Sequence, residues 1–154
     1  MYFIIGVLLV IFTDQISKIL VMNNMELGEY IPVINNIFHI TYIHNPGSAF
    51  GLFKFSNKTF IIIGLTIIIF GIFFLYKMAK EHKLVCFSFI FLLGGSLGNI
   101  IDRFRVGSVV DFLDLRIWPI FNIADVALNI GIALLIVHFL FHKDSEVIDE
   151  ELKE

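Results

Sequence analysis

The sequence predicts an all-α membrane protein, four transmembrane helices with a small β-rich lobe in the first loop. Three observations predict it. The chain has 154 residues, is 58% hydrophobic and holds 18 phenylalanines. That is more apolar surface than a soluble domain of this size can bury, so the bilayer serves as its solvent. Four apolar segments are each long enough to cross about 30 Å of hydrocarbon. Between the first two lies a stretch whose residues favour strand over helix.

The elements follow in order. The first span lies near residues 2–22. It reads as retained rather than as a removable signal sequence: no Lys or Arg precedes it, no small-residue cleavage site follows it, and it carries Asp14 and Lys18. In the first loop, residues 23–58, the run Asn36–His44 is rich in β-formers with partial alternation and breaks at Asn45-Pro-Gly-Ser-Ala-Phe-Gly51, strong turn chemistry. Such a strand unit fits on the membrane surface, where its free edge could hold an extended peptide; a plain connecting loop is the alternative. The remaining spans lie near 59–76, 84–101 and 121–141. Trp118-Pro119 introduces the last as an interfacial aromatic anchor with a helix-start proline. Residues 1–142 form one integral membrane domain, and 143–154 an acidic, solvated and disordered tail.

The net charge of −3 is local, because six of the 14 acids lie in Asp144–Glu154. The rest of the chain is slightly basic, and nothing in it suggests a nucleic-acid partner. One cysteine, Cys86, excludes an internal disulfide. Orientation does not follow from charge. Lys77, Lys80, Lys83, Lys143 and Lys153 lie on one side, and Lys54, Lys58, Arg103, Arg105 and Arg116 on the other, which leaves no positive-inside asymmetry.

Alternation of spans settles what charge does not. The end of span one, the first loop, the end of span three, the next loop and the start of span four share one side. Nearly every polar residue of interest falls there. Asp14 and Lys18 share a helix face at a spacing of four, as do Asn99 and Arg103; Asn122, Asp125 and Asn129 follow at steps of three and four. Asp111 falls in the loop between spans three and four. Asp14 with Lys18 also reads as an ion pair that holds helices together. Asn99 with Arg103 reads as interhelical hydrogen bonding and snorkelling, and Asn129 as a packing residue. Asp111 and Asp125 fit a structural role poorly, since ionisable groups in apolar helices cost roughly 2.5–3.5 kcal/mol each and mark functional sites.

Two neighbouring aspartates share a proton and titrate as a unit. The ionised member can take a proton from water while the other hydrogen-bonds a scissile carbonyl, which is peptide hydrolysis without metal or covalent intermediate. Asp125, in the first turn of span four where the helix dipole favours its anion, is expected to be the base, with the proton on Asp111. Gly94-Gly-Ser-Leu-Gly98 matches the G-x-S-x-G pattern literally, but lies inside an apolar helix rather than on the strained strand-to-helix turn that gives the pattern meaning. It reads as small-residue helix packing. Of the histidines that could serve Ser96, His138 lies in the far half of span four, while His39 and His44 stay open. Cys86 reads as packing.

Five segments, taken in order, resemble the bacterial lipoprotein signal peptidases (signal peptidase II): Thr13-Asp-Gln-Ile-Ser-Lys18, Asn45–Gly51, Gly98-Asn-Ile-Ile-Asp-Arg103, Val109-Val-Asp-Phe112 and Phe121-Asn-Ile-Ala-Asp125. The resemblance covers all but the acidic tail. It implies an aspartic endopeptidase whose catalytic aspartates are Asp111 and Asp125, with Asp14, Lys18, Asn45, Asn99, Arg103 and Asn122 supporting or contacting substrate, and no metal or cofactor. It implies a multi-pass protein of the bacterial plasma membrane, both termini cytoplasmic, the lobe extracytoplasmic and the site near the outer leaflet. The implied partners are diacylglyceryl-modified prolipoprotein signal peptides and membrane lipids, with the chain acting as a monomer. Ser48 and Val126 stand where members commonly have alanine and serine. Two other classes compete: a small ion- or proton-coupled transporter, and a scaffold whose polar cluster is helix glue. A transporter wants polar residues through the whole membrane, and here the other half of each span is nearly bare of them.

Overall fold

The computed structural model describes residues 2–47, 58–59, 61–62, 64–66, 68–69, 71–73 and 82–151, with side chains described up to Phe141. Its elements are helix α1 (Tyr2–Asn24), strands β1 (Tyr30–Ile34) and β2 (Phe38–Asn45), a short apolar helix α2 (Gly64–Phe73), helix α3 (Lys83–Arg105), strand β3 (Val109–Asp114) and helix α4 (Ile123–Glu151). Among the described residues three helical segments are long and apolar enough to cross a membrane: Tyr2–Asn24, Lys83–Arg105 and Ile123–Phe141. Of the expected second span, 59–76, α2 covers part; residues 60, 63, 67, 70 and 74–76 lie outside the described residues, as do 48–51 of the turn motif.

Helix α3 is the central post. Its seam with α1 is built from Val7, Phe89, Ile90 and Leu93, with Phe3, Val10 and Ile11 around them. Small residues bring the helices close. A Cβ on Gly94 would lie 2.6 Å from Val10 Cβ, and one on Gly95 2.5 Å from the Ala124 carbonyl oxygen. The Ser88 hydroxyl donates to the Gly131 carbonyl at 2.7 Å, a second tie between α3 and α4. The G-x-S-x-G segment is thus a close-packing surface, as its apolar setting predicts. Helix α2 runs along α3, with Gly64 beside Ile100 and Gly71 beside Phe89.

At one end of the bundle sits a three-stranded antiparallel sheet in the order β1-β2-β3. Asn36, at φ 60°, makes the β1–β2 turn, a left-handed conformation asparagine tolerates well. Helix α3 ends at Val106, whose N–H donates to the Asp102 carbonyl at 2.8 Å, and Gly107 at φ 79° turns the chain into β3. Asp111, expected in a loop, therefore stands on a strand: Val109–Asp114 pairs with β2, Ile43 opposite Asp111. The cause is the pleat. Val110 and Phe112 pack on Val21 and Tyr42, while Asp111 points to the opposite face. Helix α4 begins two residues later than expected and continues to Glu151, past the apolar window into residues that composition alone reads as a disordered tail.

Candidate active site

Asp111 and Asp125 meet at Asn122. Asn122 is the N-cap of α4 and Asp125 its third helical residue, and the two form a reciprocal capping box. The Asn122 side-chain oxygen accepts the Asp125 N–H at 2.9 Å, and Asp125 Oδ2 accepts the Asn122 N–H at 3.2 Å. The same side chain donates from Nδ2 to Asp111 Oδ1 at 2.6 Å, a short charge-assisted bond, and also to Asn99 Oδ1 at 3.1 Å. One asparagine thus holds both carboxylates. Each has a second donor: Asn45 Nδ2 reaches Asp111 Oδ2 at 2.8 Å, and Asn99 Nδ2 reaches Asp125 Oδ1 at 2.9 Å. Asp111 is 1% exposed; Asp125 is half-buried. Burial pushes the Asp111 carboxyl up to about 6. The Asn45 and Asn122 hydrogen bonds and the Lys18 charge act against that rise, and the Asp125 charge adds to it.

Behind the pair lies a buried ionic brace. Lys18 is wholly buried and uses its three protons on Asp14 Oδ2 at 2.9 Å, Asp102 Oδ2 at 2.7 Å and Asn99 Oδ1 at 3.1 Å. Each acceptor then reaches the dyad or its immediate neighbour. Asp14 Oδ1 accepts the Ala124 N–H at 2.9 Å, Asp102 Oδ2 accepts the Val110 N–H at 3.1 Å, and Asn99 donates to Asp125. Arg103 is half-buried and donates from Nη1 to the Asn99 carbonyl at 3.2 Å; its charge acts on Asp125 first, then on Asp111 and Asp102.

Of the residues singled out in the sequence, Asp111, Asp125, Asn45, Asn99 and Asn122 therefore form one hydrogen-bonded group. Asp14 and Lys18 sit one layer behind it, as an ion pair that also braces the group. Two participants lie within motifs quoted from the sequence but were given no site role there. Gln15 Nε2 donates to Asp14, to the Gly98 carbonyl and to Asp102 Oδ1, at 3.0 to 3.1 Å, and Asp102 is the anchor of β3. A glutamine in an apolar span, and a carboxylate three residues after Asn99, were the signals available. Asn129 donates to the Asp125 carbonyl within α4 at 2.8 Å. His39, His44, His82 and His138 lie elsewhere. His44 bonds the Tyr42 hydroxyl at 2.8 Å and His39 stacks on Tyr30, both within the sheet. His138 packs on His82 at the start of α3, the end opposite Asn99. Among the described residues no group of three or more His, Cys, Asp or Glu side chains is placed to hold a metal ion.

Two aspartates bridged by one amide, at the end of a membrane helix bundle, are suited to acid–base hydrolysis. Comparison with known proteins supplies the context. The family model for signal peptidase (SPase) II matches residues 6–141. The chain belongs to the signal peptidase II family. It is 47% identical over 137 residues to the lipoprotein signal peptidase of Moorella thermoacetica, covering 88% of this chain and 90% of that one. To the lipoprotein signal peptidase of Halothermothrix orenii it is 47% identical over 134 residues, covering 87% and 92%. It is also similar to a bacterial membrane enzyme solved by the in meso method at 1.9 Å, with TM-score 0.83, 35% identity, and coverage of 91% of this chain and 93% of the other. As a signal peptidase II family member it is a membrane-spanning protease that cleaves signal peptides from prolipoproteins.

Proposed function

We propose that the chain is an aspartic endopeptidase with Asp111 and Asp125 as its catalytic pair, cutting before the diacylglyceryl-modified cysteine of prolipoproteins. The observation that carries this is Asn122, which donates to both carboxylates at once, from its side-chain amide to Asp111 and from its backbone N–H to Asp125. Asp125, as the anion, takes a proton from water. The water oxygen attacks the scissile carbonyl carbon, whose oxygen receives a hydrogen bond from protonated Asp111. As the tetrahedral intermediate collapses, the C–N bond breaks, and the leaving nitrogen takes the proton that Asp125 accepted. The products are a free signal-peptide carboxylate and the amine of the lipidated cysteine. Asn45, Asn99 and Asn122 hold the pair in place, so little reorganisation is needed when charge moves. Arg103, which donates to the Asn99 carbonyl at the edge of this group, is read as a further residue that supports the pair or contacts substrate.

The chain is further read as four spans with both termini cytoplasmic and the sheet and dyad at the outer leaflet, acting as a monomer. A substrate tethered by acyl chains is confined to the bilayer, so the dyad serves it best where the signal helix ends and the lipid begins. The pH–rate profile tests the chemistry. The working state needs a proton on Asp111, so kcat/KM falls as pH rises through about 6, a macroscopic limb belonging to the pair. A rate flat from pH 5 to pH 8 contradicts the reading.

A further inference from the structure

We propose that the loop between β3 and α4, residues 115–120, is a membrane-interface anchor that dips into the headgroup–acyl boundary and sets the depth of the catalytic pair. The depth-setting half rests on the dyad reading; the anchoring half does not. Ile117 is 92% exposed, Trp118 67% and Leu115 39%, three apolar side chains on a short connection. Their presentation is rigid. At the base, Phe112 and Leu113 N–H groups donate to the Phe121 carbonyl at 3.0 and 2.8 Å, and the Phe121 N–H returns to the Leu113 carbonyl at 3.1 Å. Asp114 then clamps the turn, accepting from the Arg116 N–H at 2.8 Å, Arg116 Nη1 at 3.0 Å and the Thr41 hydroxyl at 2.9 Å. Arg116 itself adopts φ 66°, a left-handed backbone that a free loop would relax.

The bilayer is the occupant that the surroundings favour. The membrane-crossing segment Ile123–Phe141 begins two residues after the stem closes at Phe121, so the loop is continuous with the lipid-facing surface. Tryptophan with aliphatic neighbours is the composition of the interface zone, where the indole body meets lipid and its N–H meets water. Residues 115–122 contain no acid and carry Arg116, whose side chain is half exposed and suits anionic headgroups. Asp111 lies four residues before the loop and Asp125 five after it, on the two strands of backbone that the stem ties together. Fixing the height of the loop therefore fixes the height of both carboxylates.

Trp118 is the chain's single tryptophan, so its fluorescence reports this loop alone. The full chain is reconstituted in phosphatidylcholine–phosphatidylglycerol vesicles whose acyl chains carry bromine near the glycerol or near the methyl ends, with iodide as the aqueous quencher. The inference expects strong quenching by the shallow bromines, weaker by the deep ones, and little by iodide. Iodide quenching without bromine quenching overturns it. So does shielding from both, which assigns the loop to a protein partner or a second copy. Ile117→Ser keeps the reporter and should move Trp118 toward water; unchanged depth counts against the anchor. Ile117→Ser with Trp118→Ser should cut precursor cleavage in vesicles by up to about a hundredfold, the scale expected when the reacting groups are misplaced by about an ångström. Unaltered cleavage overturns the depth-setting role. Asp111→Asn runs in the same assay: if it too cleaves normally, the dyad reading fails, while the quenching result still decides the anchor.

Discussion

Replacing Asp111 by asparagine should abolish turnover and at the same time make the protein more stable at neutral pH. Burial raises the carboxyl from its ordinary 3.8 to about 6. At about 1.4 kcal/mol per unit, holding the anion in the fold costs on the order of 3 kcal/mol above pH 6. The sign follows from the raised value. Between pH 3.8 and about 6 the folded chain binds the proton more tightly than the unfolded chain, so this contribution to stability is fully present below pH 3.8 and lost as pH rises through 6. Asparagine removes that dependence but sets an amide N–H₂ against one of two donors, Asn45 Nδ2 or Asn122 Nδ2, at about 1–2 kcal/mol. The variant should thus be about 1–2 kcal/mol more stable than wild type at pH 8 and less stable at pH 4. Thermal unfolding in detergent reads this as a difference in Tm that changes by roughly 6–12 °C across that range. A Tm difference independent of pH would refute the argument that burial dominates at Asp111.

Three further outcomes follow from the packing. Lys18→Met leaves Asp14, Asp102 and Asn99 without their shared donor and should cost about 3–5 kcal/mol, with partial recovery when Asp14→Asn removes one of the buried charges; chemical unfolding of the single and double variants checks it. Gly95→Ala forces a methyl to within 2.5 Å of the Ala124 carbonyl oxygen, and the shift between α3 and α4 should lower stability by about 1–3 kcal/mol and activity with it. Ser96→Ala should leave kcat and KM for precursor cleavage unchanged, since Ser96 sits on a close-packed helix; loss of activity would reopen the serine reading.

Much of the site is legible in the sequence because helical spacing reports faces. Asp14 with Lys18, and Asn122 with Asp125, share faces at steps of three and four, and those pairings recur as bonds in the structure. What spacing does not report is rotation, that is, which face of one helix meets which face of another. Gln15 meeting Asp102, 87 positions away, and Asp14 reaching Ala124, 110 positions away, are products of packing around α3. Strand β3 escaped detection because it is six residues long and its polar Asp111 interrupts the apolar run; its buried Val110 and Phe112 are the alternation that betrays it. Strand β1 hid for the opposite reason. All five of its residues are exposed, so there is no inward–outward pattern to read. The double duty of Asn122, cap of α4 and donor to Asp111, depends on β3 and α4 meeting, and no local pattern encodes that.

The most direct test of the catalytic pair is cleavage of a diacylglyceryl-modified prolipoprotein in detergent micelles by wild type, Asp111→Asn and Asp125→Asn, with folding followed in parallel and EDTA added as a control. Both variants should stay folded and lose at least about 100-fold in kcat, while EDTA leaves the wild type unaffected. Near-normal turnover by either folded variant, or loss of wild-type activity in EDTA, would contradict an aspartate dyad acting on water directly.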